Sequence, residues 1–164
     1  YEIYQCDWSS DVCSSDLVHV IKEMYRISTH GAIWEIQVPH WNCDIAIDDP
    51  THKHRITPGT FRLFDMKRCL DYIADGKSES TLAIQHGVDI EVCQVELDYT
   101  TQWKKRFVET NASKEDVDYA VNYMNNVALT ARILIQVHKS PRYNEKDIEK
   151  VIDDFYAKQN ETPA

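Results

Sequence analysis

Residues 32–38 read Ala-Ile-Trp-Glu-Ile-Gln-Val, and every second residue from Ala32 onward is apolar. Successive side chains of a β-strand point to opposite faces, so this alternation predicts a strand with one buried face. Residues 24–29 alternate in the same way, and His30-Gly31 between the two runs is typical of a tight turn. The sequence therefore predicts a β-hairpin whose second strand ends at Pro39.

Two shorter runs extend the predicted sheet. Residues 44–48 read Asp-Ile-Ala-Ile-Asp and favour a third strand, with Asp49-Pro50 as its turn. Residues 54–57, His-Arg-Ile-Thr, are interpreted as a fourth strand. We expect a small antiparallel β-sheet over residues 24–57.

The apolar spacing changes to three and four residues after Pro58-Gly59, which is the spacing of one helix face. Start and stop signals then divide the chain into five predicted helices. They comprise residues 61–74, with Asp65 as cap and Gly76 as end; 78–87, from Ser78 to Gly87; 89–107, capped by Asp89; 113–139, opened by Ser113 and Asp116; and 144–159, capped by Asn144. The predicted class is α+β, with the sheet first and a five-helix region over residues 61–159.

Residues 7–17 read Asp-Trp-Ser-Ser-Asp-Val-Cys-Ser-Ser-Asp-Leu and resemble the translation of a sequencing-library adapter. The resemblance implies that residues 1–17 are a non-native segment, which fold reasoning leaves out. The domain is then expected to span residues 18–159, with a frayed tail over residues 160–164. We expect the segment to be detached or to make few core contacts through Trp8, Val12 and Leu17.

The same resemblance changes the charge and the thiol count. The whole chain has 27 acids against 18 Lys and Arg; removing the four acids of residues 1–17 leaves 23, a net charge of −5 instead of −9. Three cysteines remain, Cys43, Cys69 and Cys93, and such an odd, widely spaced set favours reduced thiols in a cytoplasmic protein. No apolar run approaches the roughly 18 residues of a membrane span, so no membrane partner is expected.

Residues 80–89 place Ala83 four residues before Gly87, between two predicted helices. This arrangement resembles the helix-turn-helix DNA-binding motif over residues 66–107, with the helix from Asp89 as its recognition helix. The resemblance implies DNA binding, although Asp89 and Glu91 would oppose a polyanion; the alternative is a purely structural helical corner. The candidate DNA contacts are Lys67, Arg68, Lys77, Gln94, Lys104, Lys105 and Arg106.

His40, Cys43, His52 and His54 form a second pattern. Zinc takes four nitrogen or sulfur ligands in a tetrahedron, so these four side chains are a sufficient ligand supply. The alternative is that they are exposed loop histidines and a half-buried cysteine. A zinc site is therefore a hypothesis, and no other cofactor is expected.

Enzyme signatures are missing from the sequence: it has no glycine-rich phosphate loop and no Gly-x-Ser-x-Gly elbow. We interpret the chain as a small, non-enzymatic intracellular binding protein. Its partner is either DNA or another protein. A protein-protein adaptor would carry an exposed apolar patch, at Trp41 or on the pair of C-terminal helices.

Overall fold

The computed structural model describes residues 3–7, residues 17–142 except 51, 53 and 78, and residues 149–151 and 153. Its elements, in chain order, are β1 Ile3–Asp7, α1 Leu17–Ile27, β2 Ile33–Pro39, α2 Ile45–Asp48, α3 Pro58–Arg62, α4 Met66–Ala74, α5 Leu82–His86, β3 Ile90–Tyr99, α6 Thr101–Glu109, α7 Lys114–Tyr123 and β4 Ala128–Val137. Helices and a largely antiparallel sheet are both present, which confirms the predicted α+β class.

The strands pair in the order β1-β2-β4-β3. β4 is antiparallel to both β2 and β3, and β1 joins the outer edge of β2 in parallel. In the centre, Trp34 pairs with Ile135 and Ile36 with Ile133. The sheet is therefore built from segments far apart in the chain.

One face of the sheet holds the main core. Trp34, Ile36 and Val38 are buried there with Ile133 and Ile135. The alternation predicted for residues 32–38 is thus confirmed, because the chain exposes Gln37 and half-exposes the other intervening residues. A second, smaller core lies between α6, α7 and the ends of β3 and β4.

The predicted strand over residues 24–29 is wrong, because these residues are the end of α1 and the loop that follows it. Leu17, Val20, Ile21 and Met24 recur at three- and four-residue steps, and Ile21 is fully buried in the main core. A pattern that begins at Met24 covers only the end of this helix, so the helical spacing of its earlier residues is not seen. The predicted turn is correct, since Gly31 has a φ of 80°, a conformation that glycine adopts without strain.

The third and fourth predicted strands are also wrong. Residues 45–48 form the short helix α2, and residues 54–57 lead into α3, where Thr57 caps the helix by accepting the Thr60 N–H. β1 and β4 occupy both edges of β2, so no edge of that strand remains for a hairpin partner. The sheet is therefore not confined to residues 24–57.

The helix predicted over residues 89–107 is strand β3 followed by α6. The register of β3 against β4 shifts between Val92 and Gln94, which is a β-bulge. A bulge inserts one residue and changes the face of every residue beyond it. The step from Val92 to Val95 thereby becomes three residues and imitates a helical spacing.

The helix predicted over residues 113–139 is correct only in its first part. α7 ends at Tyr123, and β4 then runs from Ala128 with buried side chains at Ala131, Ile133 and Ile135. The turn between them passes through Asn126, whose φ is 58°. The helical path, which the apolar spacing alone continues, already ends at Met124, whose backbone is extended.

Two other predicted helix boundaries, at Asp65 and at Gly87, agree with the structure. Asp65 caps α4 by accepting the N–H groups of Lys67 and Arg68, and Gly87 ends α5 in the left-handed conformation. α5 begins at Leu82, later than predicted from Ser78. The predicted helix over residues 144–159 lies outside the described residues, except that residues 149–151 and 153 are helical.

The N-terminal segment is partly ordered. Residues 3–7 form β1, so a fully detached segment is wrong, and Leu17 packs on the main core as the first residue of α1. Main-chain hydrogen bonds between strands use backbone groups that every non-proline residue has. The pairing of β1 therefore does not test the adapter interpretation, which stays a prediction. Trp8 and Val12 lie outside the described residues. In the part of the chain that is described, every helix is too short or too polar to cross a bilayer.

Candidate functional site

Exposed apolar side chains occur on α7, at the residue that follows it and on the short helix α2. Tyr119 and Tyr123 are 59% and 76% exposed, and their ring centroids lie 4.9 Å apart. Met124, Ile45 and Ile47 are exposed as well. We call these five residues the tyrosine surface.

Hydrogen bonds tie the two helices of this surface together. The Asp44 N–H donates to Asn126 Oδ1 at 2.9 Å, and Asn126 Nδ2 donates to Asp44 Oδ2 at 2.7 Å. The Asn126 N–H donates to the carbonyl of Asn42 at 2.9 Å. Asparagine tolerates the left-handed backbone better than most residues, so Asn126 fits the turn between α7 and β4 and holds the start of α2 beside that turn.

The opposite face of α7 explains why the tyrosines point outward. Val117, Ala120 and Val121 pack in the second core. Residues four apart lie on one helix face, which leaves Tyr119 and Tyr123 together on the solvent side. The helix start is the predicted capping box of Ser113 and Asp116, and the Ser113 hydrogen bonds lower the pKa of the Asp116 carboxyl.

Carboxylates lie on or next to the same two helices as these apolar residues. Asp44 and Asp48 flank the isoleucines on α2, and Glu115 and Asp118 lie on α7. Within the described residues, none of these four carboxylates has a Lys or Arg nitrogen within 4.0 Å. Burial and the nearby Asp118 charge raise the pKa of Tyr99, so the negative field of α7 reaches the second core. This corner can receive an apolar, cationic surface.

The seven predicted DNA contacts lie on separate elements. Lys67 and Arg68 are on α4, Lys77 follows it, Gln94 is on β3, and Lys104, Lys105 and Arg106 are on α6. The six cations each contact a neighbouring acid or ring: Lys67 with Asp71, Lys77 with Asp75, Lys104 with Asp98, Lys105 with Glu109, Arg68 with Tyr72, and Arg106 with Trp103. The predicted recognition helix is strand β3, which carries Glu91, Glu96 and Asp98. DNA binding stays a prediction. The recognition helix that the resemblance implied is not present, because the residues that would begin it form β3.

The predicted zinc ligands do not form a zinc site. His40 and Cys43 are buried after β2, and the His40 ring lies against Trp41 with centroids 4.0 Å apart. His52 and His54 instead line a cavity of about 20 Å³, which has room for about one water molecule. Among the described residues, which include all four predicted ligands, no three His, Cys, Asp or Glu side chains are grouped to hold a metal ion.

A charged cluster that the sequence did not reveal lies at the other end of β4. Arg142 binds the carboxylates of Asp89, at 3.0 Å from its Nε, Asp65 at 2.9 Å and Glu91 at 2.7 Å. Asp65 and Asp89 are buried, and burial raises the pKa of Asp65 although Arg142 lowers it. Asp89 also accepts the Met66 N–H at the start of α4. The cluster joins the chain after β4 to the start of α4 and to β3.

Trp41, predicted as an exposed contact residue, is half-buried against the main core. Exposed aromatic residues, Tyr119 and Tyr123, lie instead on the first helix of the predicted C-terminal pair. The sequence carries a signal for these residues, because Tyr119 and Tyr123 fall outside the apolar stripe that contains Val117 and Val121.

No protein-family model, curated protein or solved structure matches the chain.

Proposed function

We propose that this chain is a non-enzymatic protein-interaction domain that binds its partner through the tyrosine surface. The observation that carries the proposal is the pair of largely exposed tyrosines, Tyr119 and Tyr123, whose rings lie against each other on the solvent side of α7. Tyrosine is enriched among the residues that dominate binding energy at protein interfaces. Contiguous apolar patches with polar rims commonly mark such interfaces.

Charge favours a protein partner over a nucleic acid at this surface. Asp44, Asp48, Glu115 and Asp118 would lie next to the bound molecule. Phosphates would be repelled by these carboxylates, whereas nucleic-acid binding depends on Lys and Arg. The exposed rings and the acidic rim therefore support the adaptor interpretation of the sequence.

A display library of random peptides, panned on the full chain, tests the proposal. Enriched peptides are synthesised, and their Kd values are measured by fluorescence anisotropy. Replacing both tyrosines, Tyr119→Ser with Tyr123→Ser, is expected to weaken binding by at least about 30-fold, because loss of even one tyrosine that dominates an interface costs about 2 kcal/mol.

The matched control is Ile27→Ser on α1. Ile27 is 56% exposed, and its neighbour Tyr25 hydrogen bonds to His138 beyond the end of β4. The tyrosine surface lies at the start of β4, and ten strand residues span about 30 Å, so the control change is distant. Its Kd values should stay within about twofold of wild type. Equal binding by the double tyrosine variant, or a library without binders, would show that the proposal is wrong.

A further inference from the structure

We infer that the partner segment bound by the tyrosine surface is basic, with Lys or Arg side chains flanking apolar anchors. This inference rests on the proposed function and adds the chemical class of the partner. Its basis is the arrangement of charge around the five apolar residues.

Several acids elsewhere on the described surface have intramolecular cation partners. Asp71 pairs with Lys67 at 3.2 Å, and Asp98 pairs with Lys104 at 2.7 Å. The carboxylates at the tyrosine surface have no such partner within 4.0 Å among the described residues, and Lys114 is the single base within α2 and α7. Among the described residues, then, no Lys or Arg neutralises their charge, which would act on a bound molecule.

The acids lie beside the apolar residues that would act as anchors. Asp48 follows Ile47 directly in the chain, and Glu115 lies four residues before Tyr119 on α7. Residues four apart are neighbours on a helix surface. Rim charges of this kind accelerate association and select partners of opposite charge. A segment that buries apolar side chains on the tyrosines would thus place its flanking residues against carboxylates.

A second copy of the chain is a poor occupant. In a symmetric dimer the same patch occurs on both subunits, so each carboxylate would face the acids of the other copy. The whole chain also carries a net charge of −9, which opposes self-association at an acidic face. Charge complementarity therefore favours a basic partner.

The test uses the random-peptide library and two sets of neutralised variants of the full chain. Peptides that depend on the tyrosines should be enriched in Lys and Arg, and their affinity should fall with added salt. The triple variant Asp48→Asn, Glu115→Gln and Asp118→Asn should bind about tenfold more weakly, since each exposed ion pair changes affinity by about 1.5- to 5-fold. The control Asp71→Asn on α4 should bind as wild type does.

The outcomes separate this inference from the proposed function. Peptides that require the tyrosines but carry no excess of positive charge, and bind the triple variant normally, would overturn the basic partner and leave the proposed function standing. A dimer that disappears in Tyr119→Ser, Tyr123→Ser, observed by light scattering, would likewise make a second copy the occupant. Peptides that ignore the tyrosines would overturn both proposals.

Discussion

Replacing Arg142 with methionine should strongly destabilise the protein. Arg142 holds three carboxylates, and two of them, Asp65 and Asp89, are buried. Methionine retains much of the apolar volume of the side chain but supplies no charge. The substitution therefore leaves two buried carboxylates without the cation that they share.

The expected loss is about 3 kcal/mol in the free energy of unfolding. Removing one partner of a buried ion pair lowers the free energy of unfolding by about 3–5 kcal/mol, because the other partner remains as an uncompensated buried charge. The lower value applies here, since Asp65 keeps its cap bonds to Lys67 and Arg68 and Asp89 keeps the Met66 N–H. Glu91 is partly exposed and adds little. A loss of this size is a large share of the roughly 5–15 kcal/mol that stabilises a typical domain.

Urea unfolding followed by tryptophan fluorescence measures the effect across pH. Loss of Arg142 removes a cause that lowers the pKa of Asp65, so the already raised pKa of Asp65 rises further. A carboxyl with a raised folded pKa contributes stability that is present at low pH and is lost as pH rises through that pKa. The deficit of Arg142→Met should therefore be largest near neutral pH and shrink on acidification.

Asp65→Asn is the control for this prediction. Asparagine caps a helix as well as aspartate does, and it removes a buried charge whose burial cost exceeds the Arg142 attraction. Its stability should lie within about 1 kcal/mol of wild type. An Arg142→Met deficit below about 0.5 kcal/mol, or one that does not vary with pH, would show that Arg142 does not neutralise buried carboxylates.

Three further predictions concern other parts of the chain. Burial lowers the pKa of His40 from its ordinary value of 6.5, so its neutral form contributes stability that is lost as pH falls through the folded pKa. His40→Gln should therefore reduce the loss of stability between about pH 7 and pH 5. The free energy of unfolding in urea, measured across this range, would contradict the prediction if it fell equally with pH in the variant and the wild type. If the chain binds DNA, duplex DNA should shift in a gel at low salt, and changing Lys104, Lys105 and Arg106 to Glu should weaken the shift; the absence of any shift at low salt would exclude that function. Deleting residues 1–16 should preserve cooperative unfolding, because β1 is an edge strand that pairs with β2; loss of the cooperative transition in circular dichroism would show that the segment is integral to the fold.

Local signals predicted those parts of the fold that depend on neighbouring residues. The faces of residues 32–38, the Asp65 cap, the Gly87 stop and the capping box at Ser113 all follow from backbone hydrogen bonds within a few residues. Such signals act over a single turn and are legible without tertiary contacts.

The sheet was not predictable in the same way. β2 pairs with β4 across about a hundred residues, and this pairing decides that Ala131 and Ile133 belong to a strand. In β3 the bulge after Val92 changed a two-residue period into an apparent helical one. β-structure depends strongly on cross-strand packing, so apolar spacing alone favoured helices at both places.

The candidate site had a partial signal. Tyr119 and Tyr123 are four residues apart on a predicted helix, which places them on one face. Their exposure depends on how α7 packs, and the Asn126–Asp44 hydrogen bonds place the start of α2 beside the turn that follows α7. Those contacts join residues 82 positions apart, so periodicity could not reveal them.

The most direct test of the tyrosine surface is the Kd of a selected peptide for two isoleucine variants. Ile47 and Ile27 are 55% and 56% exposed and lie at opposite ends of β4. Burying the exposed half of an isoleucine contributes about 1 kcal/mol, so Ile47→Ser should weaken binding about fivefold, while Ile27→Ser leaves the Kd unchanged. Equal Kd values for the two variants would contradict the account.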